Sequence, residues 1–165
     1  MPILDQNSLE FISRGTEYTR RVGIRLGTLL KEGDVVCLEG DLGSGKTTLV
    51  QGMAVGWGSL DQVTSPTFVL VNLYRRLDGG YFNHLDAYRL KDSTEAEELD
   101  MEALMETGIM VVEWAERIKS ALPVDHLWVS LRMVDKDQRD LIFSARGTYY
   151  ESLLVNFRKR IYGGL

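Results

Sequence analysis

Apolar positions change period several times along the chain, and each change predicts an element. Between Thr16 and Leu30, Tyr18, Val22, Leu26, Leu29 and Leu30 recur on one helical face, and Gly33 stands where a C-terminal cap belongs. The unbroken run Val35-Val36-Cys37-Leu38 predicts a strand, and the stretch Thr47 to Ala54 a helix that Gly56 and Gly58 interrupt. Thr64-Ser65-Pro66-Thr67 opens a run of strand formers from Phe68 to Arg75. Asp78-Gly79-Gly80 then turns the chain, so that Tyr81–Asp86 pairs back as a hairpin. Ser93 is placed to cap an acidic helix holding Glu95, Glu97 and Glu98, and Asp100 a second one through Met105. Ile109-Met110-Val111-Val112 does not alternate, as expected of a central strand buried on both faces, and it ends at Glu113-Trp114. His126–Val134 and Leu141–Ala145 do alternate, and the charged residues 135–138 join them as a second hairpin. A last helix, Tyr149 to Ile161, aligns Leu153, Leu154, Phe157 and Ile161.

This alternation predicts an α/β domain: a central, mostly parallel sheet between helical layers, with antiparallel strands at its edges. At 165 residues and 44% hydrophobic content, one domain spanning 1–165 is expected, without repeats or a long linker. Its longest apolar runs fall far short of the ~20 residues of a membrane span. With no basic-then-apolar leader pattern at the N-terminus, a soluble, cytoplasmic protein is expected. The lone cysteine, Cys37, lies within a predicted strand and reads as a buried thiol; Met101, Met105 and Met110 read as core filling. A net charge of −5 argues against strong direct binding of a polynucleotide, because Lys and Arg contacts to phosphates supply most such affinity. The cluster Arg158-Lys159-Arg160 has two readings, a solvated helix end or a contact to nucleic acid or a partner.

One segment changes the picture from fold to chemistry. Gly40-Asp41-Leu42-Gly43-Ser44-Gly45-Lys46-Thr47 fits the G-x-x-x-x-G-K-T pattern at every fixed position, between a predicted strand and a predicted helix. That context predicts a three-layer P-loop NTPase-like domain. Glycines let successive backbone N–H groups converge on one anion, and the helix starting near Lys46 adds its unpaired N–H groups and the positive end of its dipole. Lys46 supplies a full charge for the outer phosphates, and the Thr47 hydroxyl a ligand for Mg2+. Asp41, Leu42, Gly43, Ser44, Gly45 and Thr48 complete the expected nucleotide-binding segment.

Such a loop needs a second acid to place the cation, usually at the end of a nearby apolar strand. Asp86 and Glu113 both qualify, each able to reach the metal directly or through a water, and spacing does not choose between them. Pro66 predicts a rigid turn from which the Thr67 hydroxyl would sense a γ-phosphate. His84, two residues before Asp86, shares its face on a regular strand and has three readings: it orients Asp86, meets a partner, or is a satisfied, partly buried histidine.

Together these residues resemble the bacterial TsaE-type (YjeE-type) ATPases of tRNA threonylcarbamoyladenosine synthesis. The resemblance is carried by Thr19 four residues before Gly23, by the loop through Thr48, by Ser65-Pro66-Thr67-Phe68, by His84-Leu85-Asp86-Ala87-Tyr88-Arg89-Leu90 and by Glu113-Trp114. Departures are small: the family often has Ala in place of Ser44, another apolar residue in place of Ala87 and Pro in place of Ala115. Beyond Glu116 the resemblance says least. It implies ATP and Mg2+ as cofactors, Lys46 at the β- and γ-phosphates, and Thr47 at the metal. Asp86 and Glu113 are implied at the metal or the attacking water, Thr67 in a switch-like segment, and Thr19 and Trp114 beside the nucleotide. It also implies an ATPase of low intrinsic activity, stimulated by TsaB- and TsaD-type subunits and acting as a switch or reset component of their complex.

Two other classes compete. A small-molecule or nucleotide kinase would share the loop, but the chain shows no compact Arg-rich lid segment. A GTP-dependent switch would need N-K-x-D and D-x-x-G motifs, and the nearest string is Val134-Asp135-Lys136-Asp137.

Overall fold

A computed structural model describes residues 7–64 and 71–163. In chain order these form β1 (Ser8–Ser13), α1 (Thr16–Gly27), β2 (Val35–Glu39), α2 (Lys46–Trp57), β3 (Val71–Arg75), β4 (Tyr81–Asp86), α3 (Ser93–Glu97), α4 (Met101–Thr107), β5 (Gly108–Glu113), β6 (His126–Met133), β7 (Arg139–Arg146) and α5 (Thr148–Tyr162). A 3-10 segment, Ala115–Ala121, follows β5. Among the described residues the strands make one sheet in the order β1-β7-β6-β2-β5-β4-β3. Its centre, β6-β2-β5-β4, is parallel, and β3, β7 and β1 complete the edges by antiparallel pairing. This is the predicted α/β architecture.

The central strands are apolar on both faces because each face meets a layer of its own. Val36 and Leu38 of β2 and Ile109 and Val111 of β5 join a core with α1, α2 and α5, whereas Val35, Cys37, Met110 and Val112 join a second core with α3, α4 and the 3-10 segment. Cys37 is fully buried, and burial pushes its thiol pKa up to about 12. Met101 and Met110 lie in the second core and Met105 packs against it, as expected.

Several local expectations are corrected. Helix α1 stops at Gly27, with Thr28 as its cap, and Gly33 serves instead the turn into β2, where its N–H donates to the Gly108 carbonyl. Gly56 does not interrupt α2, which runs to Trp57 and closes on Gly58 in the left-handed conformation. Gly56 is instead a contact point: a Cβ there would stand 1.9 Å from the Ile24 carbonyl oxygen, and one at Gly27 would stand 2.1 Å from that of Met53. The i,i+4 pairs Gly23/Gly27 and Gly52/Gly56 thus let α1 and α2 touch backbone to backbone, which fixes the helix that carries the phosphate loop. Helix α3 is capped by Asp92, whose carboxylate accepts from the N–H groups of Thr94 and Glu95, rather than by Ser93. Strand β1 and the 3-10 segment had no counterpart in the sequence reading. Of the basic cluster, Arg158 donates to the Ser8 carbonyl and Arg160 to the Thr28 hydroxyl, so both arginines brace α5 against neighbouring elements.

Candidate functional site

The site forms where β2, β4 and β5 end together. After Glu39 the chain leaves the sheet, turns through residues 40–45 and re-enters order at Lys46, the first residue of α2. Gly43 and Gly45 take φ values of 81° and 104°, conformations a side chain disfavours. The Ser44 N–H closes the turn on the Asp41 carbonyl at 3.0 Å. Leu42 at the tip is 84% exposed, and the Ser44 side chain is buried.

Lys46 is folded against its own loop. Its Nζ donates to the carbonyls of Gly40 (2.5 Å) and Asp41 (2.9 Å) and lies 4.0 Å from the centroid of the Trp114 ring. Burial draws its pKa below the ordinary lysine value; the carboxylates of Glu113, Glu116, Asp86 and Asp41 oppose that shift. The oxygens brought together at the start of α2 are those of Thr47 and Glu113, 3.2 Å apart, hard ligands of the kind a divalent cation bound with an anionic ligand takes. Among the described residues no group of three or more His, Cys, Asp or Glu side chains forms a metal cage.

Strand order brings the two acids together. Asp86 and Glu113 are register partners across β4 and β5, and the Ala87 N–H donates to the Glu113 carbonyl at 3.0 Å. Because β5 also pairs with β2, Glu113 reaches the start of α2, where the Thr47 hydroxyl donates to its Oε1 at 3.2 Å. Asp86 is half-buried and accepts from the Tyr88 N–H at 2.9 Å. Burial, with Glu113 beside it, raises its pKa above the usual carboxylate value. Trp114 follows with φ 59° and ψ 38°, the one left-handed non-glycine residue among those described, and packs on Tyr88 at 4.9 Å between centroids. That turn is what lays its ring over Lys46.

Of the expected nucleotide-site residues, Lys46, Thr47, Asp86, Glu113 and Trp114 converge. Thr19 sits beneath the loop: it is 2% exposed, its methyl would lie 3.8 Å from a Cβ at Gly45, and its hydroxyl is 2.7 Å from that of Ser13. Thr48 lies in the first turn of α2, and Thr67 lies outside the described residues. His84 sits on the face of Asp86, as expected, but its Nε2 meets Glu113 Oε2 at 2.5 Å and its Nδ1 meets the Tyr74 hydroxyl at 3.0 Å. Tyr74 and Glu116 were missed. Tyr74 could have been found from the hairpin, because Tyr74 is paired with Phe82 and so lies diagonal to His84.

A strand, a glycine loop, a helix starting on Lys-Thr and a strand-end acid on the adjacent parallel strand define a P-loop NTPase-like domain. Within that class the assignment is specific: the sequence model of the family described as threonylcarbamoyl adenosine biosynthesis protein TsaE matches residues 13–141, and the chain belongs to the TsaE family. Curated TsaE proteins of Bacillus subtilis and Treponema pallidum are each 39% identical to it, covering 83% and 79% of this chain and 85% and 96% of their own lengths. That of Streptomyces coelicolor is 42% identical over 73% of this chain and 83% of its own. The crystal structure of Bacillus subtilis YdiB superposes with a TM-score of 0.78 at 31% identity, covering 93% of this chain and 96% of that one. Among the described residues, no helix is long and apolar enough to cross a membrane.

Proposed function

We propose that this protein binds ATP with Mg2+ on the Gly40–Thr47 loop, hydrolyses it slowly alone, and acts as a nucleotide-dependent switch in tRNA threonylcarbamoyladenosine synthesis. The observation that carries this reading is the apposition of the Thr47 hydroxyl and the Glu113 carboxylate at the N-terminus of α2, beside Lys46. A hydroxyl and an acid so placed bracket the position a nucleotide-bound cation takes in P-loop enzymes. Membership of the TsaE family supports the pathway, and with it TsaB- and TsaD-type subunits as partners and the cytoplasm as the place of action.

The backbone N–H groups of the loop and the start of α2 would hold the β- and γ-phosphates. Lys46 would leave the Gly40 and Asp41 carbonyls and the Trp114 face to meet them, exchanging weak neutral partners for an anion. Magnesium, when bound, would neutralise charge that develops between these phosphates. Of the two acids, Glu113 already touches Thr47 and is the one we assign to the cation or its water. Asp86, one strand further out and with a raised pKa, is suited to orienting or accepting a proton from the attacking water.

Purified Lys46→Ala is expected to keep the fold and lose ATP turnover, and turnover of the parent protein is expected to rise when TsaB- and TsaD-type subunits are added. Parental turnover in Lys46→Ala would overturn the site assignment. Phosphate transfer to an added nucleoside or metabolite would favour a kinase instead.

A further inference from the structure

The buried face of the sheet behind Glu113 holds a chain of polar groups that the hydrolytic reading leaves unused. Tyr74, His84 and Glu113 stand on three adjacent strands, β3, β4 and β5, each one diagonal step from the next: Tyr74 is in register with Phe82, and His84 with Val111. They are 4%, 0% and 3% exposed, inside a sheet whose other interior side chains are largely apolar. Polar groups so deep are retained only when satisfied, and a line of three costs more to build than an apolar core.

The line has one direction. With the Glu113 carboxylate as the acceptor, His84 Nε2–H donates to its Oε2. His84 Nδ1 is then the acceptor for the Tyr74 hydroxyl. The Tyr74 hydroxyl is the outer end of the line, itself buried at 4% exposure. Thr47 O–H also donates to Glu113, 3.2 Å from Oε1 and 3.5 Å from Oε2. Every donor thus points toward one carboxylate. Since Oε2 is held by His84, Oε1 is the oxygen left for a cation or its water.

We propose that His84 and Tyr74 are positioning residues for Glu113, fixing its carboxylate so that Oε1 faces Thr47. Groups behind a metal-binding side chain tune affinity without touching the metal, and their loss typically lowers it about 10- to 100-fold. This inference rests on the reading of the loop as a magnesium-nucleotide site, and it concerns orientation alone. The Lys46 and backbone contacts to phosphate do not depend on it.

The test is isothermal calorimetry of ATP binding, with and without Mg2+, on the parent, Tyr74→Phe, His84→Leu and His84→Gln. Metal-free ATP affinity should be unchanged in all four. The gain from Mg2+ should fall about tenfold or more in His84→Leu and by a smaller factor in Tyr74→Phe, which removes one hydroxyl and keeps the ring. His84→Gln retains a donor directed at Glu113 and should recover much of the gain, a rescue that a purely space-filling role would not produce. If His84→Leu fails to fold, Tyr74→Phe and His84→Gln carry the comparison. Equal magnesium dependence in every folded variant would overturn the inference while leaving the site reading intact. A parent protein whose ATP binding ignores Mg2+ would overturn both.

Discussion

The carboxylate of Glu113 lies 3.2 Å from the hydroxyl of Thr47, although 66 residues separate them in the chain. The contact exists because β5 pairs with β2 at Leu38↔Glu113, immediately before the loop that leads to Thr47. Removing the charge while keeping the shape tests what the contact is for. Glu113→Gln is expected to lower the rate of ATP hydrolysis about a hundredfold or more, the range set by loss of one preorganised electrostatic contact to the reacting groups. Asp86→Asn should also slow hydrolysis, but with a smaller loss of Mg2+ dependence, because Asp86 is one strand further from Thr47. Initial rates across a magnesium titration separate the two acids. Equal magnesium midpoints for both variants would reverse the assignment of Glu113 to the cation.

Trp114 provides a signal for the same site. Its ring carries the Lys46 ammonium at 4.0 Å, and Arg117 lies 5.8 Å from its centroid. If Lys46 moves to phosphate, that charge leaves the indole face, so adding Mg2+ and ATP should change tryptophan emission. The change should vanish in Trp114→Phe, although Trp57 and Trp128 remain. Steady-state fluorescence at saturating nucleotide measures it. An unchanged nucleotide response in Trp114→Phe would mean that the signal arises elsewhere and that Lys46 keeps its place.

What could be read from the sequence and what could not divide along one line, local against non-local. The loop was legible because Gly43, Gly45, Lys46 and Thr47 do their work within eight consecutive residues, and β5 because Ile109–Val112 is apolar at every position. The choice between Asp86 and Glu113 was not, since both end strands and only the order β2-β5-β4 puts one of them against the loop. Strand β1 escaped because its alternation is short and broken by Ile12, 45% exposed, and its place is fixed by pairing with β7 and by Arg158 donating to Ser8. His84 is the satisfied, buried histidine that was one of its readings, but its partner Glu113 was not legible, because a single strand shows only its own faces and the diagonal appears once β4 and β5 are in register.

Gly56 is the position where a local reading went furthest astray, and it makes a stability prediction. Alanine is the better helix former by about 1 kcal/mol. Yet a Cβ here would meet the Ile24 carbonyl oxygen at 1.9 Å and its carbon at 2.8 Å, both backbone atoms that cannot rotate away. Pushing α1 from α2 should outweigh the propensity gain, for a net loss of roughly 1–3 kcal/mol, the usual cost of overpacking. Val55→Ala, at a neighbouring position 61% exposed, should change stability by less than about 0.5 kcal/mol. Urea unfolding of both variants checks the contrast. A Gly56→Ala protein as stable as the parent would show that the helices can part without cost.

Asp34 makes the pH prediction, at the far end of β2 from the loop. It is 3% exposed, and its carboxylate accepts from the Lys31 N–H at 2.7 Å. Burial outweighs this bond and raises its pKa above 3.8, so between 3.8 and its folded value the native state holds a proton that the unfolded state has lost. Stability therefore falls as pH rises through that window and is level in this respect above it. Asp34→Asn removes the titration and keeps an oxygen for the Lys31 N–H. Its stability relative to the parent should be lowest below pH 3.8 and should rise as pH climbs through the window to a plateau near neutrality. Chemical denaturation of parent and variant across that range measures the difference directly. A gap that stays constant, or moves the other way, would mean that the Lys31 N–H contact offsets burial and that Asp34 is held as the anion.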